Sequence, residues 1–535
     1  MPVDFMFEGE ELVGLRQQLS LDPSSWPAAT RYAVLALEAG RGHPAALWLS
    51  AAGAIHPNHY ALLKPLQTLA AAYFAAGFFA DASLSWARAL RLSDGNEDNW
   101  INRGAALERL GRYSEARQSF RCALVIAPAG QTALYNLADI AFSEARWVEA
   151  IAVARRAGID AAAITTAANA LLRLGRPIEA AQHFRRALCL DPGMIGALSG
   201  MATAKMAEED IASSGIWLRR CLVIRPDDVS VNNNLATWFL SQGNLRPGFA
   251  LSEWRWLRPE AEQRRRGAAE WQGESIAERS ILLYQEQGLG DALQMARYVP
   301  LLSKMKARVV IECHQALLRL FRSLSGDIEL CLPGGSLQTD VQAPMMSLPR
   351  LFGTTLETIP GSVPYLFPEE KIVRQLAPKL ASRKRRVGLV WQGNPRQVDE
   401  PHRSIPLSFL LPLLQRPDVT FYSLQRDHGR DQLAMLPDGV DIVDLGPDLS
   451  DLAVTAAVLS HLDLVITTCT AVAHLAGALG RPVWILLKRA PDWRWMLDRE
   501  DSPWYPTARL LRQRRPGDWQ EVSTRLSQTF TEWLQ

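Results

Sequence analysis

The sequence predicts an array of paired helices followed by two lobes, each a parallel sheet covered by helices. A block of the first half recurs at fixed spacing, and the second half changes to short apolar runs separated by helical segments. One of those runs, Ile281-Leu282-Leu283-Tyr284, ends in the glycine-bearing turn EQGLGDALQM, Glu286 to Met295. At 535 residues the chain has room for roughly three or four units of ordinary domain size.

GRYSEARQSFRCALVIAP, Gly111 to Pro128, returns as GRPIEAAQHFRRALCLDP, Gly175 to Pro192, at an offset of 64 residues made of one step of 34 and one of 30. Steps of 34 also align Gly77 with Gly111, Trp86 with Phe120, Ala89 with Ala123 and Tyr113 with Trp147. Small residues where two helices cross, with an aromatic filling each gap, let a helix pair bury its apolar face against the next pair. The spacing resembles the tetratricopeptide repeat. About six repeats fit between residues 28 and 255, with Cys122, Cys189 and Cys221 read as repeat-core positions. The resemblance implies a concave surface that holds an extended peptide or another protein. The plainer reading makes the array a support for the second half.

Composition removes several classes. Lys plus Arg at 58 against Asp plus Glu at 56 leaves a net charge of +2, too balanced for nucleic-acid binding by bulk electrostatics. Six scattered cysteines, with no paired spacing, read as reduced thiols, and no His/Cys spacing suits a metal. The acidic start MPVDFMFEGEEL lacks the basic and long apolar regions of an export signal, so a cytoplasmic protein is expected. Leu462 to Leu487 is apolar but holds Asp463, His474, Arg481 and Pro482, which fits a buried strand, helix and strand better than a membrane span.

The period changes after Arg264-Arg265-Arg266. ILLYQEQGLGD and ARVVIEC form one strand series, and RRVGLVWQGNP, DVTFYSLQ, VDIVDLG, LDLVITT and RPVWILL form another. Two such series predict twin doubly wound lobes with a ligand cleft beyond the carboxyl ends of the strands. The expected division is an N-terminal segment over 1–27, repeats over 28–255, a linker over 256–278, lobes over 279–382 and 383–516, and a terminal helix over 517–535.

EQGLGDALQMARYVPLL, SLPRLFGTT, VGLVWQGNP, RSIPL, TAVAHLAGALGRPVWILL and PDWRWMLDREDSPWYP resemble the bacterial tetratricopeptide-repeat glycosyltransferases. Their catalytic half is similar to heptosyltransferases and, more distantly, to O-linked N-acetylglucosamine transferases. The resemblance implies an α plus α/β chain, a repeat solenoid followed by the two-lobed GT-B fold. It also implies a metal-independent site with no cofactor, a nucleotide-sugar co-substrate, and a protein acceptor such as flagellin. The same fold often returns its terminal helix to the first lobe.

Carried over by position, Asp291 is the base that takes the acceptor hydroxyl's proton, with Glu286, Gln287, Gly288 and Gly290 on the acceptor side. The competing reading makes Asp291 a carboxylate favouring the helix N-terminus. Thr468, Cys469 and Thr470 precede a helix whose free N–H groups suit a donor phosphate, with His474 one turn on. His474 is read as a phosphate or sugar contact, or else as a packed interior histidine. Asn394, Arg396, Arg403 and Ser404 are read as the loop facing the donor phosphates, against ordinary surface arginines. Gln425 is read as a base or ribose contact, and Asp492 and Trp493 as donor contacts, with Trp504 packing. Cys469 departs from the family, which usually carries an aspartate there. Either the donor differs, another acid such as Asp492 substitutes, or the site is weakened. Two rivals therefore stand beside an inverting protein glycosyltransferase: a binding scaffold with a weakened catalytic half, and a transferase building lipopolysaccharide or another glycan.

Overall fold

The computed structural model describes residues 10–22, 25–38, 63–258, 268–335, 338–395 and 400–535. It divides into two compact units, Met1–Gly200 and Met201–Gln535.

The first unit is helical. Helices Glu10–Leu21 and Trp26–Glu38 precede four antiparallel pairs. These are Leu63–Ala75 with Phe79–Leu92, Glu97–Arg109 with Tyr113–Ile126, Gln131–Ser143 with Trp147–Arg156, and Ala161–Arg173 with Pro177–Leu190. Each pair turns through a left-handed residue, Gly77, Gly111 and Gly175 at φ 82°, 73° and 70°, while Ala145 takes the same conformation at φ 58°. The step of 30 also has a structural cause. Trp147–Arg156 has 10 residues where its counterparts have 14, a loss of about one helical turn. Phe120 and Phe184 are fully buried, and a β-carbon on Gly104 would sit 2.5 Å from the Phe120 ring. That close approach is what the alternation of small and aromatic residues encodes. Of the three cysteines expected in the repeat core, Cys221 is buried, Cys122 is half-buried and Cys189 is exposed.

The second unit begins with further repeat helices, Ile211–Ile224, Val229–Ser241 and Leu245–Ser252, and a 3-10 turn at Glu253–Leu257. Leu240, Leu245 and Phe249 belong to the same hydrophobic core as Ile281, Leu283 and Val309 of the first sheet. The compact boundary thus falls at residue 200 instead of near 255, because the last repeats bury their apolar face against the lobe. The expected linker is also partly structured. Strand β1 (Ala269–Glu270) joins the first sheet, and Trp271 is 2% exposed against Phe352.

The first sheet contains β2 (Ser280–Tyr284), β3 (Arg308–Glu312), β4 (Ile328–Cys331) and β5 (Val341–Pro344), in the order β1-β5-β2-β3-β4. The second contains β6 (Arg385–Val390), β7 (Val419–Ser423), β8 (Val443–Asp444), β9 (Leu464–Thr468), β10 (Val483–Leu487) and β11 (Ala508–Arg512), in the order β11-β10-β9-β6-β7-β8. All pairings between these strands are parallel. Strand order reverses beside β2 and beside β6, so the turns that leave these strands open into crevices. The helix Trp519–Leu534 packs on the second sheet through Phe530, which stacks on Phe421 and meets Trp484. It does not return to the first lobe, because its aromatic face fills the core of the second.

Candidate active site

After β2 the chain turns at Gly288 into the helix Leu289–Met295, and after β9 it passes Thr470 into the helix Ala471–Ala478. These two helices pack against each other. A β-carbon on Gly290 would lie 2.8 Å from His474 Cδ2 and 3.7 Å from Ala471 Cα, so the approach requires glycine at 290. Beside this contact opens a cleft of about 720 Å³, the size of a small-molecule site. Its walls include Gln287, Gly288, Gly290 and Asp291 from the first lobe, and Asn394, Arg403, Cys469, Thr470, His474, Asp492 and Arg494 from the second.

Asp291 is tied on both oxygens. Oδ2 accepts from Gly288 N at 2.8 Å, and Oδ1 is ion-paired with Arg494 Nη2. Arg494, 5% exposed, also donates from Nη1 to Asp492 Oδ1 at 2.8 Å and from Nε to Gln294 Oε1 at 2.6 Å. Burial works against charge on Asp492, yet the Arg494 guanidinium and its backbone N–H hold that carboxyl below its ordinary range. Burial likewise opposes the Arg494 cation, but Asp492 and Asp291 raise its proton affinity. The three groups form one charged unit across the lobe boundary.

His474 is 5% exposed, stacks on Trp495 at 5.3 Å, and shares a 2.9 Å hydrogen bond with Tyr505 through Nδ1. Burial, reinforced by the Arg494 charge, pushes its pKa down to about 3, so the imidazole is neutral. Cys469 Sγ accepts from Trp495 Nε1 at 3.1 Å, and burial pushes the thiol up to about 11. It is a protonated thiol, not an anion.

Residues 410–499 match the model of glycosyltransferase family 9 (heptosyltransferase). That segment runs from ahead of β7 through the Arg494 turn and supplies much of the cleft. The chain is 25% identical over 513 residues to Protein FlbA of Caulobacter vibrioides, covering 81% of this chain and 84% of that protein. The chain has a tetratricopeptide-repeat plus glycosyltransferase architecture. It is also 27% identical over 175 residues to the Protein CTR9 homolog of Arabidopsis thaliana, 31% of this chain and 16% of that one. Among solved structures, a tetratricopeptide repeat protein from Parabacteroides merdae is 16% identical with a TM-score of 0.36, covering 48% of this chain and 95% of its own. The type IV pilus biogenesis factor PilW is 19% identical with a TM-score of 0.33, covering 38% and 97%.

Several residues expected to touch ligand sit elsewhere in the glycosyltransferase domain. Glu286 has a 3% exposed side chain and pairs with Arg255 at 2.8 Å while accepting from Met346 N at 3.1 Å, so it braces the turn from behind. Thr468, at the end of the wholly buried strand β9, is fully buried, its Oγ1 without a hydrogen-bond partner among the described residues. Trp493 packs edge-on against Phe249 and Trp504 under the Arg494 guanidinium. Ser404 Oγ accepts from Gly393 N at 3.2 Å and fixes the loop. Gln425 borders the cleft but spends its amide internally. Its Oε1 accepts from Trp391 N and Gln392 N, and its Nε2 donates to Gln392 O and His428 O. Arg396 lies outside the described residues.

Sequence reasoning gave Arg494 no firm place, and it missed Arg426, Asp427 and Asp451, which also line the cleft. Asp427 was reachable, since it follows a strand end by the same logic as Gln425. Asp451 announces itself only as the cap of the helix Leu452–His461, accepting from Val454 N at 2.8 Å. Among the described residues no group of three or more His, Cys, Asp or Glu side chains is placed to hold a metal ion, and no helix is long and apolar enough to cross a membrane.

Proposed function

We propose that the chain is a cytoplasmic, inverting glycosyltransferase of the GT-B type, moving a sugar from a nucleotide donor to a hydroxyl of a protein held by the repeats. The observation that carries this reading is Asp291 at the mouth of the cleft, facing the start of the Ala471–Ala478 helix from the opposing lobe. A carboxylate on the acceptor side and free helix N–H groups opposite are what displacement of a nucleoside phosphate requires. Arg403 supplies positive charge for the leaving phosphate. Flagellin is the acceptor we place first.

One feature favours the rival reading of a binding scaffold. Cys469 stands as a half-buried, protonated thiol where a related transferase carries an acid, and it contributes no fixed charge. Asp492, anchored by Arg494 on the same cleft wall, answers that objection by placing a carboxylate there.

The test is a panel of UDP-, GDP-, ADP-, TDP- and CMP-sugars, with binding and turnover followed in the wild type and in Asp291→Ala. Selection of one nucleotide, with turnover lost in the variant, supports the transferase. Nucleotide binding without turnover in the wild type favours the scaffold.

A further inference from the structure

Arg494 belongs to the 3-10 turn Trp493–Trp495 of the second lobe, yet two of its contacts run into the first. Nη2 reaches Asp291 and Nε reaches Gln294, both on the helix Leu289–Met295, while Nη1 stays with Asp492 in its own lobe. A guanidinium is planar and permanently charged, so three such contacts fix it in one orientation. With Oδ2 of Asp291 already taken by Gly288 N, the Arg494 contact on Oδ1 sets the remaining rotation of that carboxylate. The side chain of Arg494 is 6% exposed and that of Asp291 is 22% exposed, so the fork is sheltered and the carboxylate still meets the cleft.

We propose that Arg494 is the positioning residue of the transfer reaction, holding the Asp291 carboxylate in its reacting orientation only while the two lobes are closed on each other. The proposal rests on the transferase reading of the same cleft. The donor lobe thereby orients the base of the acceptor lobe, and a chain with separated lobes carries an idle base that does not activate water against a bound donor. The other titratable groups around the pair are Asp492 on the same turn, His474 on the facing helix and Cys469 at the start of that helix.

The experiment compares the full chain with Arg494→Gln and Arg494→Lys. Arg494→Gln is expected to lower kcat about 100-fold, the cost of a base displaced by an ångström, with donor KM little changed. Arg494→Lys recovers part of the lost rate. Without ligand, the amides of Leu289–Met295 exchange faster in Arg494→Gln than in the wild type. Wild-type kcat in Arg494→Gln, a rise in donor KM with kcat intact, or unchanged exchange each overturns the proposal. A wild type that turns over no donor counts against the transferase reading, and the exchange comparison then decides the clamp alone.

Discussion

Gly290 approaches His474 so closely that a β-carbon at position 290 would lie 2.8 Å from the imidazole Cδ2. His474 has nowhere to move, being stacked on Trp495 and bonded to Tyr505. Gly290→Ala is therefore expected to cost about 1–3 kcal/mol, the usual penalty for overpacking a fixed contact. Urea unfolding measures it, and a change within error would show that the helix contact is loose.

The neutral state of His474 makes stability depend on pH. The unfolded side chain titrates at its ordinary 6.5, whereas the folded one refuses the proton until about 3. Between those values the unfolded chain binds more protons, so stability is present above pH 6.5 and is lost as the pH falls toward 3. His474→Gln lacks this contribution. Its stability deficit against wild type should be larger at pH 7 than at about pH 4.5, and an equal deficit at both would contradict a buried neutral imidazole.

Cys469 and Cys189 offer an internal comparison. The thiolate is the species that alkylates, and with Cys469 raised to about 11, on the order of one molecule in a thousand carries it at pH 8. Cys189 is exposed. Peptide mapping after iodoacetamide treatment should find Cys189 labelled well before Cys469. Equal rates would mean that Cys469 is an accessible, activated thiol.

Glu286 is a brace with a calculable cost. Its side chain is 3% exposed and that of Arg255 is 14% exposed, and Arg255 also bonds Glu253 and Ser347. Removing one partner of such a buried pair typically costs roughly 3–5 kcal/mol, whereas replacing both with apolar groups costs less. Chemical denaturation should therefore find Glu286→Gln less stable than Arg255→Met combined with Glu286→Leu. The reverse order would place the pair in solvent.

Legibility in the sequence followed the range of the interaction. The repeats were readable because a helix pair needs small and aromatic residues at fixed intervals, and the 34-residue step survives even where Ala145 replaces the turn glycine. The strand ends were equally plain, and with them Gly288, Gly290, Asp291 and Thr470, since a parallel strand must hand its chain to a glycine turn or a helix start. Glu286 and Thr468 lie on those same segments and were placed in the cleft by adjacency. Side chains near a strand end alternate between cleft and core, and which way each points depends on what packs behind.

The order of helical repeat, first sheet and second sheet is written locally along the chain, together with the glycine turn and helix start that open the cleft. Those features rest on hydrophobic periodicity and backbone conformation, which act over a few residues. The folded arrangement alone brings Arg494, 203 positions beyond Asp291, to its carboxylate. It alone decided that the last repeats share the first lobe's core, and that Trp493 packs where Asp492 faces the cleft. A guanidinium finds its partners through the packing of two lobes, and no local pattern encodes which carboxylate will stand within its reach.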